Sequence, residues 1–146
     1  VTFGGNVITP TSAIVTSVTG TGLVGTVTAS GTGTSIAATF TITVASYYGA
    51  NKYYINGVRQ ATVSLSEGST YRFDQSDSSN SGHPLRFSTT SGGTHSGGSQ
   101  YTTGVTTSGT PGSSGAYTQI TVASGAPTLY YYCTNHSGMG GQANTP

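Results

Sequence analysis

The stretch Thr128-Leu129-Tyr130-Tyr131-Tyr132-Cys133-Thr134-Asn135-His136-Ser137-Gly138-Met139 decides how the chain is read. Its first half is aromatic and ends at a Gly-containing turn, as a strand over Thr128–Cys133 should. Side chains alternate along a strand, so two of the three consecutive tyrosines point one way and one the other. Core or interface packing is their expected role. After the strand come a thiol, an imidazole and a thioether at Cys133, His136 and Met139, and this Cys and this Met are the only ones in the chain. A single Cys forms no internal disulfide. Thiolate, imidazole and thioether suit copper, whose trigonal sites take two His and one Cys with a weak axial Met. The second His must come from elsewhere. His83 is the best candidate, in Ser81-Gly82-His83-Pro84-Leu85-Arg86-Phe87 at the entry of a strand, fifty positions before Cys133.

Working outward, the rest of the chain reads as short strands between turns. Asn56-Gly57 supplies the two positive φ values of a type I′ hairpin turn and joins a strand over Lys52–Ile55 to one over Val58–Ser66. Glu67-Gly68 makes the next turn, and strands follow at Thr70–Asp74, Pro84–Ser88 and Thr118–Ala123. Residues 89–116 form a long Gly-, Ser- and Thr-rich loop, a length associated with functional or contact-forming segments. Asp74, Asp77 and Asn80 are spaced by three rather than two, which gives a polar turn and not a calcium loop. His95, in Gly93-Thr94-His95-Ser96-Gly97, reads as an exposed loop residue.

Residues 1–45 carry no charge, His, Cys or Tyr. Apolar residues alternate with Thr and Ser over Ala13–Val18, Leu23–Thr28 and Phe40–Val44, giving a small β-rich scaffold segment ahead of a domain over 46–146. The whole chain has 146 residues, four basic and three acidic, and Gly, Ser and Thr make up about half of it. No basic patch exists for nucleic-acid phosphates. No apolar run is long enough to span a membrane, and no charged-then-apolar leader pattern is present. Paired carboxylates, a Ser–His–acid arrangement and a phosphate loop are all lacking, so no enzyme is expected. A soluble domain averages roughly a quarter charged residues, against 5% here. A neutral Thr/Ser/Gly surface suits a module packed beside copies of itself or other subunits of a larger assembly.

A His just before a strand, about fifty residues, then an aromatic strand ending in Cys-x-x-His-x-x-Met resembles the cupredoxins, with the Cys133/His136/Met139 spacing most like the amicyanins. Ala61-Thr62-Val63-Ser64-Leu65-Ser66-Glu67-Gly68-Ser69-Thr70-Tyr71-Arg72-Phe73 is similar to the strand–turn–strand that precedes the first ligand in that family. The resemblance covers residues 52–139 and implies an all-β Greek-key sandwich with copper on His83, Cys133 and His136 and with Met139 axial. It departs from the family at Pro84, where an Asn usually donates its backbone N–H to the Cys sulfur and ties the two ligand loops together. Pro has no N–H to give. Residues 70–141 and the Gly/Thr/Val unit before them are also similar, more loosely, to repeated modules in structural proteins of marine bacteriophages.

These readings together imply a structural module of an extracellular assembly, a virion component in particular, built on a cupredoxin-like sandwich with a copper site. The alternative is a secreted blue-copper electron carrier. The tail Gly140–Pro146 reads as too short and Gly-rich for a closing strand. It predicts an open sheet edge, covered by a neighbouring subunit through strand donation from residues 1–10.

Overall fold

A computed structural model describes residues 34–146. The strands expected at Ala13–Val18 and Leu23–Thr28, the segment 1–10 and its strand donation lie outside the described residues. Ile36–Pro146 forms a compact unit, and among the described residues no helix is long and apolar enough to cross a membrane.

The described residues are all-β, as expected, and their two mixed sheets pack as a sandwich. Its strands are β1 (Ile36–Tyr47), β2 (Ala50–Ile55), β3 (Val58–Arg59), β4 (Val63–Ser64), β5 (Thr70–Asp74), β6 (Leu85–Ser88), β7 (Gln100–Tyr101), β8 (Val105–Ser108), β9 (Tyr117–Thr121), β10 (Leu129–Cys133) and β11 (Gly141–Asn144). One sheet has the order β3-β2-β1-β5-β9-β8 and the other β4-β11-β10-β6-β7.

The first strand explains much of the layout. Phe40, Ile42 and Val44 alternate with Thr39, Thr41 and Thr43, and Ile42 is wholly buried. The strand expected at Phe40–Val44 is thus the middle of β1, and the sandwich takes its first strand from residues assigned by composition to the leading segment. β1 changes partner midway. Ile36–Thr41 pair parallel with β5, and Ile42–Tyr47 pair antiparallel with β2. The Asn56-Gly57 turn has φ of 48° and 81°, the conformation read from its sequence.

Residues 89–116, read as one long loop, hold β7 and β8, and two further strand expectations differ from the structure. The segment Val58–Ser66 is not one strand. Gln60 takes a positive φ of 46°, so the chain leaves β3 after Arg59 and re-enters the opposite sheet as β4. The tail does form a strand, β11, paired antiparallel with β10 and parallel with β4. Ala143 is fully buried in it, and Thr145 Oγ1 donates to the carbonyls of Ala126 and Pro127. The edge expected to stand open at Gly140–Pro146 is therefore filled from within the subunit.

The core joins the two sheets through aromatic rings. Phe73 of β5 meets Phe87 of β6 edge to face at 5.1 Å between centroids, and Tyr53 faces Tyr131 at 6.3 Å. Alternation along β10 turns Leu129, Tyr131 and Cys133 into this core and Tyr130 and Tyr132 to the other face, as the three tyrosines required.

Candidate metal centre

Two loops at one end of the sandwich meet at the site. His83 lies in the turn entering β6. Cys133 ends β10, and His136 and Met139 follow in the turn before β11. Because Cys133 pairs with Leu85 across β10 and β6, the ligand loops lie side by side. One nitrogen of His83, one of His136 and the sulfur of Cys133 fall within 4.8 Å of one another. The Cys133 Sγ stands 3.7 Å from Nδ1 of each ring. Donors sharing one ion at about 2.0–2.3 Å stand roughly 3.5–4 Å apart, so the three residues fit a single metal ion. Cys133 and His83 are buried, while His136 is exposed. Burial, and secondarily the neighbouring His136, lower the pKa of His83 below the ordinary imidazole value. A neutral ring is the form that ligates a metal.

Met139 is buried in the same core cluster as Cys133 and Leu85. Its loop is fixed by three successive carbonyls. Gly138 O accepts from Lys52 Nζ at 2.6 Å and from Gln60 Nε2 at 3.2 Å. Met139 O accepts from Tyr53 N at 2.9 Å, and Gly140 O from Gln60 Nε2 at 2.6 Å.

The support for His83 is a buried polar network with no signature in the sequence. Gln75, Asn80 and Tyr53 are all within 1% of full burial. Gln75 Nε2 donates to the His83 carbonyl at 2.8 Å and to Asn80 Oδ1 at 3.1 Å, and Gln75 Oε1 accepts from Leu85 N at 3.0 Å. One amide therefore grips both sides of Pro84. Tyr53 OH donates to the same His83 carbonyl at 2.7 Å. Burial, with the nearby Cys133 second, raises its pKa beyond the usual phenol range, so it remains a donor. Asn80 Nδ2 donates to Ile42 O at 2.7 Å, and the Asn80 carbonyl accepts from His83 N at 2.8 Å. The polar turn read at Asp74–Asn80 is present, and its last side chain is a buried anchor.

Pro84 has no N–H to offer the Cys133 sulfur, and the two loops are tied by other donors. Thr134 N donates to Pro84 O at 3.1 Å, and Asn135 Nδ2 donates to Gly82 O at 2.9 Å. The tie expected of an Asn after the first His is made here by an Asn after the Cys. His95 is exposed, as read from its loop. Its Nε2 lies 2.8 Å from the Cys133 carbonyl, and its ring meets Tyr132 edge to face. It is not part of the three-residue cluster.

Neither a comparison with models of known protein families nor one with curated proteins finds a match for this chain.

Proposed function

We propose that the chain is a copper module of cupredoxin type, in which His83, Cys133 and His136, with Met139, would hold the metal. The observation that carries this reading is the meeting of one thiol and two imidazole nitrogens within 4.8 Å, drawn from two loops. Copper bound there would supply a one-electron couple. The chain's own residues do the rest. Buried Cys133 and His83 keep water from the inner side of the site, the Gln75–Asn80–Tyr53 network fixes the His83 loop, and exposed His136 marks the side open to a partner. Copper-loaded protein should give a reversible one-electron wave in voltammetry. Met139→Gln should shift it to lower potential, because an axial thioether tunes such sites. No reversible wave, or a wave indifferent to Met139, would count against electron transfer.

Composition favours a second reading. With charged residues at 5%, the chain is suited to an extracellular or virion assembly, in which the same metal would be structural. The two readings share the site and differ in whether the metal cycles.

A further inference from the structure

Among the described residues the exposed large apolar side chains are Tyr47, Tyr48 and Val58, all on the β1–β2–β3 hairpins. The turn carrying Tyr48 has an internal comparison. Tyr48-Gly49 has φ of 47° and 80°, and Asn56-Gly57 has 48° and 81°. Asn tolerates this left-handed conformation, whereas a bulky aromatic residue there is an outlier. Tyr48 is 92% exposed, so its ring returns nothing to the core. Strain kept at an exposed residue points to use at the surface.

The ring has company. Tyr47 meets Tyr48 edge to face at 4.5 Å, and the Arg59 guanidinium sits 3.5 Å over the Tyr47 ring. Tyr and Arg are the side chains that dominate protein–protein contacts. Asp77 lies on the other flank of β1, the side toward β5. There Val44 N donates to Ser79 Oγ, and exposed Asp77 accepts from Ser79. The chain's carboxylates bond Gly125, Ser76 and Ser79, while Arg59 stays on Tyr47. The end of β1 thus carries aromatic rings centrally, a cation on one flank and an anion on the other.

A two-fold interface sets one patch against itself and requires this kind of self-complementarity. We propose that a second copy of this chain docks here, with the Tyr48 rings packed across the two-fold axis and Arg59 of each copy facing Asp77 of the other. The proposal does not depend on the metal.

Sedimentation equilibrium on the full chain tests it. The intact chain should show a reversible dimer that weakens with added salt. Tyr48→Asn should weaken dimerisation about tenfold or more, and at concentrations too low for the dimer to form, where association adds nothing to stability, it should raise the melting temperature, because Asn suits the turn. Arg59→Glu should weaken dimerisation without lowering the melting temperature of the monomer. A chain monomeric at all concentrations would overturn the proposal. So would a dimer unaffected by both substitutions, or a Tyr48→Asn variant that melts lower than the parent when both are monomeric.

Discussion

Gln75→Leu is expected to destabilise the chain by about 2–5 kcal/mol, because buried polar groups that lose a partner each cost about 1–3 kcal/mol. Leu fits the volume but bonds nothing. The Leu85 N–H loses its acceptor and Asn80 Oδ1 loses its donor, both in the interior. The His83 carbonyl keeps only Tyr53 OH. The substitution is remote in sequence from Cys133, yet it loosens the loop that carries a ligand, so metal affinity should fall along with stability. Urea denaturation checks the first effect as a lower midpoint at an unchanged slope. A midpoint equal to the parent's would show that the network is not holding the loop.

Gly140→Ala should be at least as damaging, at about 3 kcal/mol or more, the upper end of what overpacking costs. A Cβ at this position would lie 1.6 Å from the Tyr131 carbonyl oxygen and 2.6 Å from its carbon. Both are backbone atoms of β10, so no side chain can turn aside. β11 would have to move off β10 and take with it the pairing to β4 and the Gln60 bond to Gly140 O. The expected result is a lower melting temperature with loss of amide protection at Gly141–Asn144 and Val63–Ser64. Parent-like stability would mean that the tail is not the closing strand described.

What the sequence disclosed and what it withheld follow from one distinction. Alternation and turn chemistry are local, so the Asn56-Gly57 hairpin, the Thr70–Asp74 strand and the facing of Tyr130, Tyr131 and Tyr132 could be read directly. The clustering of His83, Cys133 and His136 could be anticipated because rare residues stood at the ends of strands. Partner choice is not local. Nothing in Phe40–Val44 says that this strand lies in the same sheet as β5. Nothing in Gly141–Asn144 says that Val63–Ser64 will cross over to flank it. The crossing turns on a positive φ at Gln60, a residue type with no special preference for it. The network behind His83 was hidden for another reason. Gln75 and Asn80 sit among Ser and Asp in what reads as a solvated turn, and only packing shows that their amides are buried.

The most direct test of the account is titration of the intact chain with Cu(II), followed by visible absorption and metal analysis. One copper per chain should bind, with an intense thiolate-to-copper band that disappears in Cys133→Ser and is sharply reduced in His83→Ala. A sample that stays colourless with Cu(II), and whose Cys133 remains open to alkylation, would contradict it.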